Sequence, residues 1–267
     1  MTLKSKLVLG FLTAITCGNV IAQSLPESQY FDSNGISIHY VEQGAGEAVI
    51  LMHGYTRSVN DWSQLEIFKS LAQDYRVIAF DARGHGKSDK PSEISAYGLE
   101  MSRDIIRLLD HLDIDRAHII ASSMGGRVLG PLMPTHADRL LTVTFIGFAP
   151  VWNWSADVQQ SIERRSNNMI RNPPQRLIDQ GQDIQALGIL VLGFSQLVVT
   201  KQELRNLKVP TFAIVGSEDR NLARLEELKT LMPDMKLLVI DGEGHGLDNL
   251  ARHLEFVTSI RSFIADH

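Results

Sequence analysis

Two adjacent serines follow a predicted buried strand, at the point where a nucleophile can be exposed. The stretch "AHIIASSMGG" places Ser122 and Ser123 between an apolar run and two glycines. A nucleophilic serine on a sharp strand-to-helix turn needs small residues two positions before and after it, because strand and helix approach closely there. Those positions hold Ile and Met around Ser122, but Ala121 and Gly125 around Ser123. Ser123 is therefore the candidate nucleophile, unless the serine pair only closes the strand and caps the helix.

A serine hydroxyl needs a base to accept its proton, and the base needs an acid that orients it. On strand-to-helix turns of this kind the chain order is serine, acid, histidine. "GEGHG" places His245 on a glycine-flanked loop after the last predicted strand, and "SEDRN" places Asp219 after the preceding strand. Glu218 is the rival acid, whereas we expect Asp241 and Asp248 to be structural or solvated.

Alternating strand and helix patterns must position these side chains. Apolar runs predict strands, and apolar residues at helical spacing predict helices. The predicted strands cover residues 36–44, 48–54, 76–81, 117–122, 143–148, 211–216 and 236–241, and the predicted helices cover residues 61–73, 97–112, a stretch from 124, 222–231 and 247–265. Strands separated by helices require right-handed crossovers, so the sequence predicts an α/β fold with a mostly parallel, doubly wound sheet. The serine, acid and histidine then share its carboxyl edge, where such sheets bind ligands.

One segment, from Pro150 to about Lys208, breaks this alternation and contains no clear strand. We interpret it as an inserted helical cap over one end of the sheet. Its large apolar residues predict an apolar pocket, unless they only pack the insertion onto the sheet: Trp152, Trp154, Met169, Leu190, Leu192 and Phe194. No cationic cluster stands out in this segment, so we expect a small acyl substrate of apolar character.

Five ordered motifs make residues 36–264 resemble the α/β-hydrolase superfamily. They are "HGYT" at 53–56, "DARGHGKS" at 81–88, "ASSMGG" at 121–126, "GSED" at 216–219 and "GEGHG" at 242–246. The resemblance implies an oxyanion hole formed by the backbone N–H groups of Tyr55 and Met124, with the Tyr55 side chain in the pocket or the core. The chain departs from the pattern at Ala121, where glycine is more usual, and at Pro131, which should kink or end the helix after the turn.

Two histidines near these motifs are expected to be structural. His53, with Gly54, should shape the oxyanion loop rather than act in catalysis. "DARGHGKS" contains Gly-Lys-Ser but has Asp81 where a phosphate-binding loop needs its first glycine. This loop should instead brace the sheet edge, with His85 at the surface or in a structural role.

The motifs together predict a serine hydrolase that cleaves a small ester, lactone or thioester through an acyl-enzyme, with no metal or organic cofactor. The resemblance argues against haloalkane dehalogenases and epoxide hydrolases, which carry an aspartate at the position of Ser123. A carbon–carbon bond hydrolase or an amidase is the enzymatic alternative. A ligand-binding receptor of the same fold is the non-enzymatic one.

Composition and the first residues set further bounds. The chain has 267 residues and a formal net charge of −5, with no basic block, so nucleic acid is not an expected partner. Residues 1–22 resemble a signal peptide. Two lysines precede an apolar run that is too short to span a bilayer, and the small residues that a signal peptidase recognises follow it, up to Ala22. We therefore expect an exported protein, periplasmic or secreted, with residues 23–267 as one domain. Cleavage would remove Cys17, the one cysteine, and with it any disulfide.

Overall fold

The computed structural model describes residues 26–267, so the predicted signal peptide and Cys17 lie outside the described residues. Within this range the chain forms one sheet of eight strands: β1 (Gln29–Asp32), β2 (Ser37–Gln43), β3 (Ala48–Met52), β4 (Arg76–Phe80), β5 (Ala117–Ser122), β6 (Leu140–Ile146), β7 (Thr211–Gly216) and β8 (Lys236–Ile240). Their order across the sheet is β1-β2-β4-β3-β5-β6-β7-β8. β1 and β2 pair in antiparallel fashion, and β3 to β8 are parallel. The predicted mostly parallel sheet is confirmed.

Helices cover both faces of this sheet. In residues 26–267 the α-helices are α1 (Val59–Ser63), α2 (Glu66–Leu71), α3 (Leu99–His111), α4 (Met124–Leu129), α5 (Leu132–Thr135), α6 (Ala156–Arg171), α7 (Gln175–Asp179), α8 (Ile184–Gly193), α9 (Lys201–Asn206), α10 (Leu222–Leu231), α11 (Leu247–Leu250) and α12 (Leu254–Ala265). Successive strand residues point to opposite faces. Ile50 and Ile119 therefore join a core with α3, whereas Leu51 and Ile120 join a second core with α1, α2 and α12. The sheet is doubly wound, as predicted.

The carboxyl ends of β5, β7 and β8 lie at one edge of the sheet, because these strands run parallel. Ser123 directly follows β5, Asp219 lies in the loop after β7, and His245 lies in the loop after β8. The fold thereby brings to one edge residues that are up to 122 positions apart in the chain.

Two predicted helices are each divided in the structure. The helix predicted over 61–73 forms α1 and α2, because Leu65 is extended between them (φ −83°, ψ 149°) and a capping box of Ser58 and Asp61 starts α1 at Val59. The helix predicted over 247–265 forms α11 and α12, with His253 extended between them (φ −79°, ψ 130°). The short edge strand β1 was not predicted.

Between β6 and β7, in the segment predicted as a helical insertion, the chain forms α6 to α9. In this fully described stretch the extended pairing is a single bridge between Val151 and Val198. The apolar run of the insertion forms α8, most of whose side chains are buried against the rest of the protein. Within residues 26–267, no helix combines the length and the apolar character that a membrane crossing requires.

The "DARGHGKS" loop braces the sheet edge, as predicted. The buried Asp81 carboxylate accepts hydrogen bonds from the backbone N–H groups of Val59 (2.7 Å) and Lys87 (2.8 Å) and lies 2.7 Å from His39 Nδ1. Burial raises the pKa of Asp81, but these hydrogen bonds outweigh burial and lower the pKa to about 2, so the carboxylate stays charged. His85 is buried rather than at the surface, and burial lowers its pKa to about 3, so its ring is neutral.

Candidate active site

Ser123 stands at the turn between β5 and α4 in a strained backbone conformation. Its φ of 49° lies in the left-handed region, which non-glycine residues rarely adopt. Its N–H donates to the Ile146 carbonyl (2.8 Å), so the end of β6 holds the turn. A Cβ at Gly125 would lie 2.9 Å from Met52 Cβ, and one at Gly126 would lie 2.6 Å from a backbone carbonyl after β6. The close approach of α4 to these strand ends therefore requires the two glycines.

The helix after this turn is short. α4 ends at Leu129 and α5 begins at Leu132, with Pro131 between them in the helical region (φ −64°, ψ −22°). Proline has no N–H to donate, so it interrupts the helical hydrogen bonds without turning the chain away. The helix ends before Pro131, as predicted, and the first turn after Ser123 is intact.

Ser123, His245 and Asp219 form one hydrogen-bonded row. Ser123 Oγ lies 2.8 Å from His245 Nε2, and His245 Nδ1 lies 2.7 Å from Asp219 Oδ2. The Asp219 side chain is buried, whereas the His245 side chain is 38% exposed. Because Nδ1–H donates to the carboxylate, Nε2 is free to accept the hydroxyl proton. Glu218, the rival acid, is exposed and makes no ion pair with His245.

Other acids at this edge lie outside the row. Asp241 accepts a hydrogen bond from the Ser217 hydroxyl (3.2 Å), and the half-buried Asp248 lies 3.6 Å from Arg57. These positions agree with the structural or solvated roles that the sequence predicts. In the described part of the chain, no group of three or more His, Cys, Asp or Glu side chains is arranged to hold a metal ion.

Asn221 and Gly147 support the row, and neither was predicted from the sequence. Asp219 Oδ1 accepts hydrogen bonds from the backbone N–H and the side-chain Nδ2 of Asn221 (both 2.9 Å), and Nδ2 also donates to the Gly147 carbonyl (3.0 Å). Gly147 has a φ of 69°, and a Cβ there would lie 3.2 Å from His245 ring atoms. The available sequence signal was the Asp-x-Asn spacing in "SEDRN", which favours a turn closed by the aspartate side chain.

The two predicted oxyanion-hole donors have free backbone N–H groups. Met124 is the first residue of α4, where a helix leaves its N–H groups without partners. Tyr55 lies in the turn that follows β3. Neither N–H donates a hydrogen bond to a backbone carbonyl anywhere in residues 26–267. Both groups are therefore available to a developing oxyanion.

The turn after β3 is strained and firmly held. Arg57 N–H donates to the Gly54 carbonyl (3.1 Å), and Thr56 between them has a φ of 64°, which costs a non-glycine residue about 1–3 kcal/mol. His53 Nδ1 donates to the same carbonyl (2.8 Å), and its Nε2 accepts a backbone N–H from the loop after β4 (3.0 Å). Both ring nitrogens are occupied, so His53 shapes this turn, as predicted.

A cavity of about 400 Å³ opens beside Ser123 and His245. This volume is typical of a site for a small molecule. The apolar part of its wall includes three residues predicted for the pocket, Tyr55, Met169 and Phe194, together with Met124, Phe148 and Leu177. The Tyr55 hydroxyl donates to the Leu187 carbonyl (2.9 Å), and burial raises the pKa of Tyr55 to about 12. Tyr55 is therefore a neutral part of the wall.

Trp152 and Trp154, also predicted for the pocket, do not line this cavity. Trp152 is buried toward α10, where its indole N–H donates to Glu227 (3.2 Å). Trp154 packs against the first hydrophobic core. Leu190 and Leu192 are likewise absent from the wall, because α8 directs its side chains mainly into the protein interior. For Trp152, Trp154 and Leu190 the alternative holds, because they pack the insertion against the first hydrophobic core.

Known proteins share this architecture. A family model described as the alpha/beta hydrolase fold matches residues 47–169. The enol-lactonase from Burkholderia xenovorans LB400 superposes with a TM-score of 0.76 at 22% identity, covering 89% of this chain and 100% of the enol-lactonase. The chain therefore has the α/β-hydrolase fold. The resemblance seen in the sequence motifs is confirmed.

The chain is also similar in sequence to hydrolases that differ in their substrates. It is 33% identical over 138 residues to the 2-hydroxy-6-oxo-6-phenylhexa-2,4-dienoate hydrolase of Comamonas testosteroni, covering 51% of this chain and 48% of that protein. It is 34% identical over 133 residues to haloalkane dehalogenase 2 of Mycobacterium tuberculosis, covering 49% of this chain and 44% of that protein. The matches thus span less than half the length of these curated relatives.

Five arginines line the cavity, although the sequence does not predict a cationic site. They are Arg57, Arg127, Arg165, Arg176 and Arg220. They come from the turn after β3, from α4, α6 and α7, and from the loop after β7. Two of the five belong to the helical insertion, so inspection of that segment alone reveals no cationic cluster. The predicted apolar pocket is therefore corrected to a cavity with apolar walls and several guanidinium groups.

Proposed function

We propose that this α/β hydrolase is a serine hydrolase that cleaves a carboxylic ester, lactone or thioester through an acyl-enzyme. The supporting observation is the row of Ser123, His245 and Asp219, joined by contacts of 2.8 Å and 2.7 Å beside a cavity. Nucleophile, base and orienting acid are thus in the relative positions that acyl transfer requires.

Each group has one role in the proposed reaction. Ser123 Oγ attacks the substrate carbonyl carbon while His245 Nε2 takes the hydroxyl proton, and Asp219 stabilises the imidazolium. The N–H groups of Tyr55 and Met124 stabilise the oxyanion of the tetrahedral intermediate. The intermediate collapses, and the leaving alkoxide or thiolate takes the proton from Nε2. Water then attacks the acyl-enzyme with His245 again as base, which releases the acid and restores the serine.

Carbon–carbon bond hydrolysis is the second candidate function. The observation that favours it is the 33% identity to the dienoate hydrolase of Comamonas testosteroni. The same nucleophile, base and oxyanion donors would serve this reaction, with a carbanion instead of an alkoxide as leaving group. The two candidates therefore differ in substrate rather than in site.

Turnover of matched substrates tests the proposal. We expect the purified full chain to hydrolyse short-chain 4-nitrophenyl esters, measured as 4-nitrophenol release, with a kcat/KM at least about tenfold above that for 2-hydroxy-6-oxo-6-phenylhexa-2,4-dienoate. The reverse order would identify a carbon–carbon hydrolase. If the protein turns over neither substrate and no member of a panel of lactones, both candidate functions are contradicted. The ligand-binding receptor is then favoured.

A further inference from the structure

The cavity beside Ser123 is cationic in a protein that is acidic overall. Five arginines and no aspartate or glutamate are among its lining residues, although the formal net charge of the chain is −5. A cleft lined by one sign of charge concentrates ligands of the opposite sign. This lining is therefore a local feature that the overall composition does not explain.

Four of these arginines have no acidic partner within the described residues. Arg57 pairs with Asp61 (2.8 Å), but no carboxylate of residues 26–267 lies within 4.0 Å of the other four: Arg127, Arg165, Arg176 and Arg220. Arg165 lies over the Tyr55 ring, with its guanidinium carbon 4.6 Å from the ring centroid. Arginine suits carboxylate recognition because its planar guanidinium offers paired N–H donors.

Arg127 is the most constrained of the four. Its guanidinium carbon lies 5.2 Å from the Phe148 ring centroid and 4.8 Å from the Phe194 ring centroid, so two aromatic rings of the cavity hold it. Its Nη1 is buried and has no hydrogen-bond partner in residues 26–267. Burial and the nearby Arg165 and Arg224 lower the pKa of Arg127 to about 10, which still leaves it charged at neutral pH. A buried donor without a partner is costly, and a ligand that accepts its hydrogen bond removes that cost.

We propose that the substrate carries a carboxylate in addition to the scissile carbonyl, and that Arg127 binds this carboxylate. The inference rests on the proposed function, because it places the substrate carbonyl at Ser123. Arg127 lies about one helical turn after Ser123 in α4, and both residues line the cavity, so one small ligand could contact both. Arg165, Arg176 and Arg220 add positive potential around the same opening.

The test compares two esters that differ only in the charge of the group at the end remote from the scissile ester bond. One is the 4-nitrophenyl monoester of adipic acid, a carboxylate, and the other is its neutral methyl-capped diester. We expect the wild-type protein to prefer the anionic ester in kcat/KM, and Arg127→Met to reduce that preference about 10- to 100-fold. Arg127→Lys, which keeps the charge without the paired donors, should reduce it less. Arg164→Gln is the matched control, since Arg164 is a neighbouring arginine of α6 outside this cavity wall.

The inference is overturned if Arg127→Met lowers kcat/KM equally for both esters. It is also overturned if the wild-type protein does not prefer the anionic ester. A binding measurement separates it from the proposed function. Adipate should bind the Ser123→Ala protein in a calorimetric titration. The double variant that carries both Ser123→Ala and Arg127→Met should bind adipate at least tenfold more weakly. Adipate binding that depends on Arg127, without ester turnover, would refute the proposed function but keep Arg127 as a carboxylate-binding residue. If the esters are turned over with no charge preference and adipate does not bind, the proposed function stands and the inference is refuted.

Discussion

Replacement of Ser123 by alanine should lower kcat for the preferred ester by about five to six powers of ten. The hydroxyl 2.8 Å from His245 Nε2 is the nucleophile of the proposed mechanism, and alanine removes it without filling the cavity. The oxyanion donors and the bound substrate would still supply a small residual rate above the uncatalysed reaction. Steady-state kinetics on the purified variant measures the effect.

Ser122 provides the matched control, since it is a serine of the same strand end. Its side chain is buried and makes no hydrogen bond with the row of Ser123, His245 and Asp219. Ser122→Ala should change kcat less than about threefold. If Ser123→Ala keeps more than a tenth of the wild-type kcat, Ser123 is not the nucleophile.

Replacement of Asp219 by asparagine should lower kcat about 10⁴-fold. Asn221 donates two hydrogen bonds to Asp219 Oδ1, so an asparagine would keep its oxygen there and present its NH₂ group to His245 Nδ1. His245 would then carry its proton on Nε2 and could not accept one from Ser123. The expected loss is in kcat, with a smaller change in KM, because the substrate does not contact this carboxylate in the proposed mechanism.

Glu218→Gln is the corresponding control, because Glu218 is the neighbouring acid and is exposed. We expect its kcat to remain within about twofold of the wild-type value. The thermal unfolding midpoint of both variants should be measured, so that loss of structure is not mistaken for loss of catalysis. An Asp219→Asn protein with a kcat within tenfold of the wild type would remove Asp219 from the mechanism.

The sequence was sufficient to predict the features that depend on local patterns. The turn at Ser123 is recognisable because the small residues Ala121 and Gly125 stand two positions before and after it, although the contact that requires Gly125 is with Met52 of β3. The positions of Asp219 and His245 follow from strand ends, and parallel strands bring those ends to one edge. Pro131 ends the helix before it through its missing N–H, which is also a local effect.

Features that depend on long-range packing were not predicted. Arg127 of α4 and Arg165 of α6 line the same cavity only in the folded protein, and no pattern within either segment shows this. Trp152 looked like a pocket residue from its type, but its indole N–H is directed to Glu227 on α10. The break between α1 and α2 depends on the extended backbone at Leu65, which lacks a glycine or proline to mark it.

Covalent labelling tests the central claim, the identity of the nucleophile, most directly. A fluorophosphonate reacts with an activated serine by displacement of fluoride, and peptide mass spectrometry locates the adduct. We predict one adduct per chain, on Ser123, in the wild-type protein and in Ser122→Ala, and none in Ser123→Ala. An adduct on another residue, or ester turnover that persists while Ser123 remains unlabelled, would contradict the account.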